Sequence, residues 1–185
     1  MITAEDWLAL ADPNSRLVGR VAFALDVSPD RAWSSIAAAG RRADGLGHVE
    51  LVEHRPGTEW VVERLAELVQ RYNPVSVVVD PWSAAGELIL ALDAARIEVV
   101  RPTARDVAAA AGALYDATRP DADRIRHLGQ TPLNAAVAGA VKRPLADAWT
   151  WNRRGSVCIT PLVACSLAAW GHACAPGGRL FVVAG

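Results

Sequence analysis

Two apolar runs in this chain each end on a carboxylate. Leu17-Val18-Gly19-Arg20-Val21-Ala22-Phe23-Ala24-Leu25 leads to Asp26, and Val75-Ser76-Val77-Val78-Val79 leads to Asp80. Their β-branched and aromatic content predicts two buried strands. Ser28-Pro29-Asp30 turns the chain after the first. Arg31 to Gly40 is small and apolar with turn signals on both sides, which predicts a second strand although alanine prefers helix. Residues 41–47 then form a hairpin loop. His48 to His54 alternates polar and apolar, as a half-exposed strand does. These three strands make an antiparallel meander.

Helical periodicity fills the rest. Met1 to Leu10 predicts a short helix whose Ile2, Trp7 and Leu8 cover an edge of the domain, and Asp12-Pro13-Asn14-Ser15 breaks it. Thr58 is a candidate cap for a helix with Trp60, Val61, Leu65, Leu68 and Val69 on its apolar face; Asn73-Pro74 stops it. A helix between strands three and four implies a crossover to parallel pairing. Ser83 caps a helix over 84–94, and Ile97 to Val100 reads as a fifth strand. Thr103 starts an alanine-rich helix to about Thr118, and Arg119-Pro120-Asp121 breaks it. Asp123 to Leu128 is a short strand or an extended segment. Thr131-Pro132 and Thr160-Pro161 both carry the signal of a cap followed by proline. The first starts a helix over 133–141, closed by Lys142-Arg143-Pro144; the second starts a mostly buried helix ending at Gly171. Trp149 to Arg154 is an exposed strand or hairpin arm. Leu180 to Ala184 either adds a strand or belongs to a loose tail. The order predicts an α/β architecture, a mixed five-stranded sheet with helices on both faces. An RNase H-like fold follows this order, with acids at the ends of its first and fourth strands. Residues 1–14 read as an N-terminal arm or linker remnant, 15–174 as the domain and 175–185 as a tail.

Composition narrows the function classes. At 185 residues, 52% hydrophobic and formal charge −1, the chain suits one domain with a full core. It is not a broadly basic nucleic-acid wrapper, so nucleic-acid binding requires a local patch. Cys158, Cys165 and Cys174 are odd in number and lack paired spacing, which argues against a disulfide scaffold or a zinc site. The first residues include Glu5 and Asp6 and lack the basic region of a signal peptide. No apolar run suits a membrane span. A reducing cytoplasm is the expected location.

Asp26 and Asp80 are the candidate metal acids. Strand ends at one sheet edge hold two carboxylates side by side, which suits a divalent cation; alternatively each Asp only starts a turn or caps a helix. Asp116, near the end of the long helix, is a further ligand or an Arg partner. Glu50 and Glu53 fall on opposite faces of their strand, Asp147 caps or pairs, and Asp121 and Asp123 read as loop acids. Asp30 and Arg31 lie close enough to Asp26 to shape a cleft. His127 is a proton shuttle, a phosphate contact or a surface residue; His54 and His172 carry no catalytic spacing. Lys142, Arg143, Arg153 and Arg154, with Trp149 and Trp151 between them, either meet a phosphate backbone or form a solvated face over packed tryptophans.

Phe23-Ala24-Leu25-Asp26-Val27-Ser28-Pro29-Asp30-Arg31 resembles the opening of the nuclease domain of phage terminase large subunits, most strongly those of actinobacterial phages and prophages. His48-Val49-Glu50, His54-Arg55-Pro56-Gly57-Thr58, Trp60-Val61 and Val78-Val79-Asp80-Pro81 continue the resemblance. So do Ala138-Gly139-Ala140, Arg143-Pro144-Leu145, Trp149-Thr150-Trp151 and the block from Ile159-Thr160-Pro161-Leu162 to Trp170-Gly171. It covers roughly residues 15 to 172. It implies an RNase H-like endonuclease domain using Mg2+ or Mn2+, with Asp26 and Asp80 as the first two metal acids and double-stranded DNA as substrate. It also implies a terminase ATPase domain, small terminase subunit or portal as partners, in the host cytoplasm. No Gly-rich phosphate loop ending in Lys-Ser or Lys-Thr occurs, so no ATPase activity is expected from these residues. The family's third acid usually sits in a stretch like Asp-Ile-Ser-Pro-Leu; here Cys158 holds that place in Cys158-Ile159-Thr160-Pro161-Leu162. A thiol is a poor ligand for hard Mg2+, so the alternative is a weakened or inactive DNA-binding or assembly module.

Overall fold

The computed structural model describes residues 1–122 and 124–176. Strands β1 (Val18–Val27), β2 (Trp33–Arg41) and β3 (Gly47–Pro56) form the expected antiparallel meander. Helix α2 (Val61–Tyr72) crosses over to β4 (Ser76–Val79), which pairs parallel with β1. Trp60, not Thr58, holds the cap position of α2, and Asn73 ends it in the left-handed conformation. The expected helix over 84–94 is a 3-10 turn (Ala84–Leu88) running into α3 (Ile89–Ala94). Helix α4 (Ala104–Ala117) starts with a full capping box between Thr103 and Asp106.

The fifth strand is not the one expected. Residues Ile97 to Val100 make a single parallel bridge, Val78 to Val100. Pro102 follows two residues later and has no amide hydrogen with which to extend a ladder. The fifth strand is β5 (Ile125–His127), parallel to β3 at the opposite edge, so the sheet order is β4-β1-β2-β3-β5. Asp123 and the proposed strand over 180–184 lie outside the described residues. Helix α5 (Thr131–Ala138) stops three residues before Val141. Strands β6 (Lys142–Leu145) and β7 (Ala148–Trp151) then form a separate hairpin before the last helix, α6 (Thr160–Cys174).

The N-terminal segment is built into the core. Helix α1 (Ala4–Ala9) buries Trp7, with Ile2 and Leu10 beside it, while Leu8 is exposed. Ser15 donates to His48 Nδ1 at 2.6 Å, and Arg42 bonds both Asp12 and Ser15, fixing the arm to the sheet.

Strand alternation divides the core into two layers. Val21, Phe23, Leu25 and Val27 of β1 face α2 and α3. The opposite face carries small side chains: Ala24, Ala37 and Ala39. Helix α6 lies on that face, touching β1 to β4, with α4 and α5 outside it. Ten of its first residues, Thr160 to Ala169, are all buried. A helix apolar all round is a core helix. Its close approach ends at Gly171, where an added Cβ would lie 2.4 Å from Val78 Cγ2 and 2.8 Å from Ser76 Oγ. Gly171→Ala is therefore expected to destabilise the fold by about 1–3 kcal/mol despite alanine's better helix propensity, read as a lower urea midpoint at unchanged m-value.

Candidate metal and nucleic-acid site

Parallel register brings the two strand-end acids abreast. Ala24 pairs with Val78 and Leu25 with Val79, so the next step along both strands sets Asp26 beside Asp80. Both follow the parity of Ala24 and Val78, so they belong to the face covered by α6. Asp26 is fully buried and Asp80 nearly so. One guanidinium joins them. Arg153, in the connection after β7, donates through Nη1 to Asp80 Oδ2 at 3.1 Å and holds Nη2 3.0 Å from Asp26 Oδ1. The second contact is an ion pair without hydrogen-bond alignment: both Asp26 oxygens and Arg153 Nη2 are buried without a hydrogen-bond partner. Asp80 Oδ1 accepts the Trp82 amide at 3.0 Å, which fixes the turn after β4. Burial pushes the Asp26 carboxyl up to about 7; Arg153 opposes this and the neighbouring Asp80 adds to it.

These groups face a cleft of about 730 Å³. Asp80, Trp82 and Glu87 line one side, and Arg143, Arg153 and Arg154 the other. Asp26 does not reach its surface. Trp82 is 84% exposed, two residues after Asp80. The hairpin wall is stiffened from behind. Trp151 is buried and donates to Ser166 of α6 at 3.0 Å. Trp149 packs edge-on against Tyr115 and Trp151. Lys142 places its ammonium 3.7 Å from the Tyr115 ring centre and 4.2 Å from that of Trp149. The tryptophans thus pack beneath the face, Lys142 is spent on cation–π contacts, and Arg143, Arg153 and Arg154 remain at the cleft.

The other sequence candidates fall elsewhere. Cys158 lies within 3.3 Å of Thr160 Oγ1, which bonds Ser35, the cross-strand partner of Asp26. It therefore belongs to the polar fringe of the site. Asp116 is exposed, nine residues along α4 from the cleft residue Val107, about 13 Å at helical rise. His127 is buried in β5 at the far edge of the sheet. Its Nε2 donates to the Trp7 carbonyl at 2.8 Å, its Nδ1 accepts from Gly129 at 3.0 Å, and its ring stacks on Trp7. Both nitrogens are engaged, so His127 has no proton to move at the cleft. Glu53 pairs with Arg64 at 2.9 Å, and Arg31 with Glu87 at the cleft rim.

No protein-family model matches the chain, and comparison with curated protein sequences finds no match. Solved structures match throughout. The large terminase of bacteriophage HK97 superposes with a TM-score of 0.73 at 16% identity, over 92% of this chain and 43% of that one. The chain thus spans less than half the length of that protein. A mutant nuclease domain of the large terminase subunit of bacterial virus Sf6, with manganese, gives 0.62 at 14%, over 90% and 97%. The large terminase nuclease of thermophilic phage G20c, with bound magnesium, gives 0.59 at 15%, over 85% and 82%. The chain has the fold of a large-terminase nuclease domain.

Within this terminase-nuclease fold the acid pair suits one divalent cation. Its donors are hard carboxylate oxygens, and Asp26 has both oxygens without a hydrogen-bond donor. Mg2+ binds through one or two carboxylates and keeps several waters. Among the described residues no group of three or more His, Cys, Asp or Glu side chains is placed to hold a metal, so water would have to complete the shell of an ion bound here. Sequence reasoning missed Trp82 and Asn152, which also lines the cleft; the signal for Trp82 was a large aromatic directly after a strand-end acid. It also missed that Arg153 joins the acids themselves.

The raised Asp26 pKa sets a sign. Between the ordinary value of 3.8 and about 7 the folded protein holds a proton that the unfolded chain has lost. Stability therefore falls as pH rises through that window. In chelator, Asp26→Asn should remove that fall and stabilise the protein at pH 8, by at most about 4 kcal/mol. Denaturant melts of both proteins across pH 4–8 measure the difference; identical slopes would contradict it.

Proposed function

We propose that this chain is the metal-dependent nuclease domain of a phage DNA-packaging terminase, hydrolysing phosphodiester bonds of double-stranded DNA. The observation that carries this reading is the pair of abreast, buried carboxylates behind a cleft walled by arginines. Asp26 and Asp80 would hold Mg2+ or Mn2+ on rigid strand ends. Bound there, such a cation would supply Lewis-acid stabilisation at the phosphoryl group and a nucleophile from water. Arg143 and Arg154 bind phosphates on either side of the scissile bond and set the register of the duplex without reading its sequence. Trp82 offers a flat apolar surface to a sugar or base beside that bond. Lys142 acts through the hairpin, which it holds against α4.

Packaging partners follow from the same reading. An ATPase domain, whether in the same polypeptide or a separate one, would bring DNA to the cleft. A small terminase subunit or portal would dock on the assembled motor inside the bacterial host. Among the described residues no helix is long and apolar enough to cross a membrane.

Plasmid cleavage with Mn2+ tests the acids: Asp26→Asn and Asp80→Asn should each reduce it to background, and full activity in both would sink the assignment. A folded wild-type protein that binds DNA without cutting it would instead favour the binding-module reading that Cys158 raises. The arginine wall has its own signature. Replacing both Arg143 and Arg154 by Ala should weaken duplex binding uniformly across sequences. It should also reduce the slope of log affinity against log salt by about 2, measured by fluorescence anisotropy in chelator.

A further inference from the structure

We propose that Arg153 is a competing cation for the acid pair: a divalent ion gains Asp26 only when the guanidinium leaves, and a DNA phosphate is the acceptor that draws it out. This rests on the nuclease reading and adds to it a coupling between substrate and metal.

Access comes first. Asp26 is 0% exposed and absent from the cleft wall, while the Arg153 side chain, 21% exposed, spans from cleft to acid. No ion reaches Asp26 from the cleft past the guanidinium in its present place. Charge balance comes second. With both carboxylates ionised, two of them and one guanidinium leave one negative charge at a buried edge. A divalent ion added with Arg153 retained would leave one positive charge and set two cations against each other at low dielectric. The same ion with Arg153 gone leaves the edge neutral. Fit comes third. Both Asp26 oxygens and Arg153 Nη2 lack hydrogen-bond partners although all three atoms are buried. The pair is held by charge without the aligned fork that makes an arginine–carboxylate contact strong.

Arg153 also has the means to leave and a place to go. It lies in the connection between β7 and α6, outside any strand or helix. Its neighbours at the cleft, Arg143 and Arg154, mark where a phosphate backbone would run. A phosphate that takes Arg153 uncovers Asp26, so DNA tightens metal binding. By linkage, metal then tightens DNA binding by the same factor.

Calorimetric titration of Mn2+ into the metal-free full chain, wild type against Arg153→Gln and Arg153→Lys, is the test. Arg153→Gln should bind about tenfold or more tightly than wild type, and Arg153→Lys, which keeps the charge, much less so. Equal or weaker binding in Arg153→Gln would overturn the competition. No binding in any of the three, with all folded, would overturn the metal site itself. If Arg153→Gln fails to fold without metal, the wild type still decides. The Arg153 guanidinium NMR signal, assigned by its loss in Arg153→Lys, should lose its slow proton exchange on Mg2+ titration. It should do so again with a short DNA duplex in chelator. A signal unchanged while Mg2+ binds overturns the displacement, and one unchanged while duplex binds overturns the coupling.

Discussion

Two carboxylates on adjacent parallel strands repel. At a strand spacing near 4.8 Å and an effective dielectric near 20, the cost is about 3–4 kcal/mol. Asp26 and Asp80 stand in this relation at a buried edge. A cation between them changes repulsion into attraction; even with Arg153 there, burial keeps the Asp26 pKa raised, and Asp80 adds to the rise. In the metal-free chain that cation is Arg153. The hairpin and the connection that carries Arg153 are thus tied to the sheet by the same charge that would otherwise push its end apart. Removing Arg153 without supplying another cation strands two buried acids, the costlier side of a buried ion pair.

The acids can be buried there because the sheet face around them is small. Ala24, Ala37 and Ala39 let α6 lie low over β1 and β2, and Gly171 lets its far end meet Val78. The helix runs antiparallel to β1: its start meets Ser35 near Asp26, and its end meets Ser76 at the other end of the sheet. The N-terminal end of α6, with its partial positive charge, is therefore directed at the acidic edge. A bulkier residue on this face would lift α6 and expose the edge to water, where the acids would ionise freely and Arg153 would lose its hold. Packing and electrostatics at this end of the molecule are one constraint.

Much of this was legible from local pattern. The apolar run of β1 and the valine run of β4 announced two strands, and each strand's end named its acid. The start of α4 was read at Thr103, which is its cap, one residue before Ala104. What escaped was the choice of partner. Ile97 to Val100 is as good a strand former as Ile125 to His127. The difference lies in Pro102 and in which sheet edge remained open, and neither shows in a four-residue window. Thr131 and Thr160 were expected as caps but are the first helical residues, one place after Gln130 and Ile159. His127 has the residue type of a shuttle, and only the stacking on Trp7 reveals a structural role. Arg153 was legible as a basic residue at a basic stretch. Its contacts with Asp26 and Asp80 span 127 and 73 positions, a distance over which no spacing rule operates.

The absence of a carboxylate at Cys158 fits the same electrostatics. A third acid at this edge would leave three negative charges against one guanidinium and deepen the repulsion that Arg153 offsets. A thiol near Thr160 adds no charge there, so two acids and one arginine form a nearly balanced set. The cost falls on the metal. In the proposed site, with hard donors from only two side chains, water would complete the shell, and metal affinity would depend on how readily Arg153 yields. A site with three acids outcompetes a single arginine by charge alone. A site with two is closely matched to it, so under the proposed coupling a DNA phosphate would decide which cation the acids hold.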